Sequence, residues 1–198
     1  MYQVELSGKN ISIDTDVSLF SPEGPDKGTL SMLEHANFNA EDKVLDLGCG
    51  AGIVGLSACC SGVNPSNVTM TDVDFKAVEF ARKNMNNAGF KEATIVCGDA
   101  LSAVNDSDYS IILSNPPYHT DFKVAKTFIE KGFNRLKVGG RMLMVTKRRD
   151  WYKNKMIAIF GGVKIYEHDD GYLVFESVKR SEKYAGKTAI KSKGKKRK

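Results

Sequence analysis

Four cysteines in 198 residues, none in a Cys-x-x-Cys pair, leave no basis for a disulfide framework or a thiolate metal centre. Cys49, Cys59, Cys60 and Cys97 are therefore expected to be reduced thiols, three of them inside packed strand or helix, and no metal is expected. No apolar run approaches the ~20 residues of a membrane helix, and no N-terminal stretch joins a basic start to a leader-like apolar segment. A cytoplasmic protein that spans no membrane is the expectation. Repeats and low-complexity segments are missing before residue 181, which argues against a solenoid. Acid is almost absent from the end of the chain: residues 179 to 198 hold ten Lys or Arg against Glu182 alone, a net +9, leaving −4 for the rest.

What is there fits one globular domain with a tail. Residues 1–40 read as an N-terminal hairpin and covering segment, 41–180 as the core, and 181–198 as a basic tail with too few apolar groups to offset the entropy of ordering it. Such a tail favours polyanions through counterion release, and equally serves solubility. A monomer is expected.

Residues 2 to 13 alternate around Ser7-Gly8-Lys9-Asn10, which predicts a small hairpin. A turn-rich stretch, Phe20 to Thr29, leads to a helix from about Leu30 to His35. From Val44 the pattern becomes regular. Short apolar strands at Val44–Leu47, Val68–Asp72, Ala93–Cys97, Ser110–Leu113 and Arg141–Val145 alternate with helical patterns at Ile53–Ala58, Phe75–Ala88 and Phe122–Leu136. Strand–helix alternation implies an α/β, doubly wound, Rossmann-like and mostly parallel sheet. Val163–Tyr166 and Tyr172–Val178 flank the turn His168-Asp169-Asp170-Gly171 and predict an antiparallel C-terminal hairpin that completes seven strands.

Two motifs fall at strand ends, where such sheets bind ligands. The first is Asp46-Leu47-Gly48-Cys49-Gly50-Ala51-Gly52, whose glycines let backbone pass close under a ligand. Asp72, 22 residues after Gly50, ends the second strand where an acid can hold two ribose hydroxyls. Asp99 could accept a hydrogen bond from an adenine amino group while a neighbouring backbone amide reads the ring. Gly50-Ala51-Gly52-Ile53-Val54-Gly55 also has the spacing of a dinucleotide fingerprint. Asp46 decides against nicotinamide, because an acid there repels a pyrophosphate and welcomes a sulfonium or an ammonium, and S-adenosylmethionine carries both. As a plain turn or helix cap, Asp46 would carry no such meaning.

The second motif is Asn115-Pro116-Pro117-Tyr118, 65 residues after Gly50. An amine on a heterocycle is a poor nucleophile because its lone pair is delocalised into the ring, so it must be held with that pair directed at the methyl group. The Asn115 side-chain oxygen and the Pro116 carbonyl can accept the two amine hydrogens, Pro117 can fix the loop, and Tyr118 can stack on the base. No strong base is required, since the amine proton becomes acidic as the methyl transfers, and a base within a helix would have to be flipped out. The bland alternative is a rigid turn. His119 reads as a structural hydrogen-bonding or substrate-lining residue rather than a base, and His35 and His168 as structural. Between Lys123 and Lys155 eleven Lys or Arg face Glu130 and Asp150 alone, with Lys147-Arg148-Arg149 beside Trp151 and Tyr152, aromatics available for stacking on RNA.

From Phe20 to Lys179 the chain resembles the class I methyltransferases, and more narrowly the small-domain methyltransferases that modify guanine N2 in ribosomal RNA. The matching residues are Phe20-Ser21, Asp26-Lys27-Gly28-Thr29, the run from Asp46 to Gly52, Asp72, Asp99, Ser114-Asn115-Pro116-Pro117-Tyr118-His119 and Gly171-Tyr172. The resemblance implies S-adenosylmethionine held by Thr29, Asp46, Gly48, Cys49, Gly50, Asp72, Val73, Asp99, Ala100 and Asn115. It also implies ribosomal RNA or the small ribosomal subunit as partner. The same tetrapeptide serves adenine N6 and glutamine N5 methyltransferases, and a noncatalytic RNA-binding module on this fold is a further alternative. The better-known ribosomal members also have a degenerate duplicate domain on the N-terminal side that helps bind RNA, which this chain is expected to lack.

Overall fold

The computed structural model describes residues 1–117 and 122–186. A hairpin of β1 (Tyr2–Leu6) and β2 (Lys9–Ile13) precedes helix α1 (Lys27–Leu33). Strand β3 (Val44–Leu47), α2 (Ile53–Cys60), β4 (Val68–Asp72), α3 (Phe75–Asn87) and β5 (Thr94–Cys97) form the first half of the core. The second half runs β6 (Tyr109–Ser114), α4 (Lys123–Arg135), β7 (Leu136–Thr146), α5 (Arg149–Phe160), β8 (Lys164–Glu167) and β9 (Leu173–Val178).

The seven strands are ordered β5-β4-β3-β6-β7-β9-β8, with β5 to β7 parallel and β9 antiparallel to both of its neighbours. The expected doubly wound sheet and closing hairpin are both present. In β7 the side chains of Met142 and Met144 enter the core beneath α4 and α5, while Leu143 and Val145 enter the core beneath α1, α2 and α3. That alternation explains why the central strands read as continuous apolar runs: both faces are covered. By the same alternation Asp46, between Leu45 and Leu47, faces the α2 side. Helix α2 lies hard against β4, since a Cβ on Gly55 would stand 2.4 Å from the Met70 sulfur.

The N-terminal hairpin turns through Ser7 and Gly8, both at positive φ (50° and 75°), the geometry a two-residue hairpin needs. Val4, Leu6 and Ile13 then join the same core cluster as Val44, Met70 and Leu143, with β1 packed against α2, so this segment is laid on the helices that cover that face of the sheet.

Two expectations need correction. Helix α1 starts at Lys27 rather than near Leu30, because the Asp26 carboxylate caps the Thr29 amide at 2.9 Å and makes the first turn helical. Residues 149–160, anticipated only as a basic cluster, form helix α5, whose Tyr152, Met156, Ile159 and Phe160 fall on one buried stripe. At the end of the chain, packing continues past residue 180. Lys179 is buried, donates to the Leu136 carbonyl at 2.7 Å and pairs with Glu182, and Tyr184 stacks edge-on against Phe133 at 4.9 Å. The basic tail expected from there on falls, from residue 187, outside the described residues.

Candidate active site at the sheet's switch point

The sheet is wound outward from β3 to β4 and β5, and then on its other side to β6, so the strand order reverses between β3 and β6. Ligands of open α/β sheets bind at this place, beyond the strand ends. A cavity of about 380 Å³ lies there, within the ~300–1,000 Å³ usual for small-molecule sites.

Its floor is the glycine turn. Gly48, Gly50 and Gly52 all hold positive φ (77°, 51° and 95°), a backbone path that a side chain would strain. A Cβ on Gly50 would meet no atom within 4 Å, so at this point the turn faces open space. The loop is tied to β4: Gly48 and Cys49 donate to the Thr71 carbonyl at 2.9 and 3.1 Å, and the Gly50 amide donates to Asp72 Oδ2 at 2.9 Å. Asp72 Oδ1 accepts from the Asp74 amide at 3.0 Å, so Asp72 is oriented from both sides.

Asp46 is 1% exposed, and its Oδ2 has no hydrogen-bond partner among the described residues. Burial, and next the nearby Asp72, push its carboxyl up to about 8, against the pull of the Gly55 amide. A buried acid with an unfilled acceptor is the arrangement a cationic ligand would complete.

Across the cavity, Asn115 follows β6 and donates its side-chain nitrogen to Asp26 Oδ1 at 2.7 Å and to the Thr29 hydroxyl at 2.9 Å. Tyr172 approaches from the last hairpin and donates its hydroxyl to Asp26 Oδ2 at 3.3 Å. The seam between α1 and the C-terminal strands is closed further by Arg141, which donates to the carbonyls of His35, Ala36 and Asn37 and pairs with Glu176. His35 and His168 meet there with their Nε2 atoms 3.1 Å apart, and Tyr166 stacks on His35.

The profile of the methyltransferase small domain family matches residues 10–176. The chain belongs to that family. It is 31% identical over 182 residues to the ribosomal RNA small subunit methyltransferase C of Cronobacter sakazakii, covering 89% of this chain and 51% of the relative. It is 29% identical over 185 residues to the ribosomal RNA large subunit methyltransferase G of Pseudoalteromonas translucida, covering 89% of this chain and 48% of that protein. The chain thus spans about half the length of the curated relatives it matches. Among solved structures, the 16S rRNA N2 methyltransferase RsmC of T. thermophilus, in complex with AdoMet and guanosine, superposes with a TM-score of 0.82. That match has 24% identity, over 90% of this chain and 50% of the other, and so speaks to the fold.

In this methyltransferase small domain, Thr29, Asp46, Gly48, Cys49, Gly50, Asp72, Val73, Asp99, Ala100, Asn115 and Pro117 all line the one cavity. Ala100 sits at a φ of 53° at the turn after β5. Pro116 is buried and absent from the lining, and Tyr118 and His119 lie outside the described residues. Asp26 contacts Asn115 directly, and Tyr2 and Phe20 complete the rim; sequence reasoning named none of these as site residues. For Asp26 the signal was there, as a capping acid opening a helix.

The basic surface is smaller than its sequence suggests. Lys155 pairs with Glu130, Arg149 with Glu167 and Arg141 with Glu176. Tyr152 is buried against Phe175 and is not available to a base, and Trp151 has one face stacked on Phe122 at 4.4 Å. Lys147 and Arg148, both exposed, follow the end of β7 on the site's side of the sheet.

Proposed function

We propose that this chain transfers a methyl group from S-adenosylmethionine to the exocyclic amine of guanine (N2) in ribosomal RNA, acting as a cytoplasmic monomer on the RNA or small subunit. One observation carries the reading: an asparagine amide, fixed by an acid, stands across one cavity from a glycine turn and a buried acid, Asp46, whose Oδ2 has no hydrogen-bond partner among the described residues. The names of the relatives point to the same substrate class.

When bound, S-adenosylmethionine supplies an electrophilic methyl on a cationic sulfur. The residues present fit it. Asp46 offers a buried oxygen with no partner among the described residues, and Gly50 leaves the floor of the cavity open. Asp72, already oriented by two backbone amides, keeps lone pairs for ribose hydroxyls. Asp99 and Ala100 lie just beyond the end of β5, for the adenine. On the substrate side, Asn115 Oδ1 and the Pro116 carbonyl accept the amine's hydrogens and align its lone pair, and Pro117 stiffens the loop. Tyr118 stacks on the base. Lys147 and Arg148 meet phosphates. Rate enhancement comes mainly from positioning, worth up to ~7–11 kcal/mol in well-oriented systems.

The test is transfer of labelled methyl to unmodified ribosomal RNA and to both subunits, followed by nucleoside digestion and mass spectrometry. N2-methylguanosine is the expected product. N6-methyladenosine would move the target base, and label in protein would move it to a glutamine.

A further inference from the structure

We propose that Asp26 is a positioning residue that decides which end of the Asn115 amide meets the substrate, and that Tyr172 steadies it. This rests on the amine-transfer reading above. The two ends of an asparagine amide are alike in shape and opposite in chemistry, one accepting and the other donating. A half-turn of the side chain would present N–H groups to an incoming amine, which offers N–H groups itself. Something must hold the amide the right way round.

The Thr29 hydroxyl cannot do so, because it donates or accepts as required. The Asp26 carboxylate can, because an ionised carboxylate only accepts. With Asp26 Oδ1 at 2.7 Å, the Asn115 atom facing it must be the nitrogen, and Oδ1 of Asn115 is thereby set as the acceptor end. The bond is charge-assisted, which makes inversion costlier than for a neutral partner. Capping α1 requires no more than the bond to the Thr29 amide. The further links reach Asn115, 89 residues on, and Tyr172, 146 residues on, which no helix cap needs. A site so oriented selects a donor group such as an amine and discriminates against a carbonyl at the same place.

Asp26→Asn separates this role from capping. Asparagine caps as well as aspartate, yet it can offer its own nitrogen to the Asn115 oxygen and let the pair invert. The expected result is a fall in kcat of about tenfold or more. Affinity for S-adenosylmethionine should stay within about twofold of the parent, and the melting temperature should not change. The ¹⁵N side-chain amide resonances of Asn115, assigned against Asn115→Ala, should lose their hydrogen-bonded shift. Parent-level kcat with an unchanged Asn115 resonance would overturn the proposal, as would a lowered melting temperature accompanied by lost cofactor binding, which is the mark of a purely structural cap. Tyr172→Phe should give a smaller loss in the same direction. If the unaltered protein methylates no RNA, the functional reading fails, while the amide resonances still report whether Asp26 sets the orientation.

Discussion

The two sides of the cavity each hold an aspartate side chain, and they hold it in opposite ways. Asp46, on the glycine-turn side, is buried beside a second acid, with one oxygen unpartnered among the described residues. Asp26, on the asparagine side, has both oxygens engaged by Thr29, Asn115 and Tyr172. The first is an incomplete site that a cation would finish, and the second is a finished fixture with a shape of its own. On the proposed reading, binding and aligning are divided between two regions that meet at the ends of β3 and β6.

The sharpest way to break that division is Asn115→Ala. It should lower kcat by about 10²-fold, the scale expected when a reacting group is misplaced by about 1 Å, while S-adenosylmethionine affinity measured by calorimetry stays close to the parent value. Equal loss of both would mean that the two regions are one.

Next comes Asp46→Asn, expected to weaken S-adenosylmethionine binding by about tenfold or more, the scale of one lost hydrogen bond to a charged group. The ligand-free protein should respond in the other direction. The folded chain raises this carboxyl to about 8, so its contribution to stability is whole below the usual carboxylate range and is lost as the pH climbs toward 8. Above pH 8 the Asp46→Asn variant should therefore melt higher than the parent, and near pH 4 the two should coincide. Melting curves across that window check the sign.

The smallest effect concerns the surface around the site. Replacing Lys147 and Arg148 together with alanine should reduce the slope of log affinity for RNA against log salt by about one to two and leave affinity for free S-adenosylmethionine alone. An unchanged slope would place the phosphates elsewhere.

Much of this was legible before any coordinates. Short apolar runs marked all seven strands and period-3.6 patterns three core helices, and the spacing from Gly50 to Asp72 to Asn115 placed three motifs on strand ends that share one cavity. Less legible was whatever depends on long-range partners. The stripe Tyr152, Met156, Ile159, Phe160 was hidden by the lysines and arginines around it. The neutralisation of Arg141, Arg149 and Lys155 requires knowing which acids α4, β8 and β9 bring near. His35 and His168, 133 residues apart, find each other only across the seam. Asp26 was visible as part of a motif, but a cap and a brace have the same letter, and only the fold distinguishes them.

The brace around Asn115 also joins parts of the chain that are synthesised far apart in time. The glycine turn and Asp72 lie within 27 residues of Asp46 and can form as soon as the first half of the sheet exists, whereas Tyr172 reaches Asp26 across 146 residues. Closing so long a loop is among the last events for a chain made from its N-terminus. A nascent chain lacking β9 would already have the glycine turn and the Asp26–Asn115 pair, and the final strand would add the support that Tyr172 gives to Asp26.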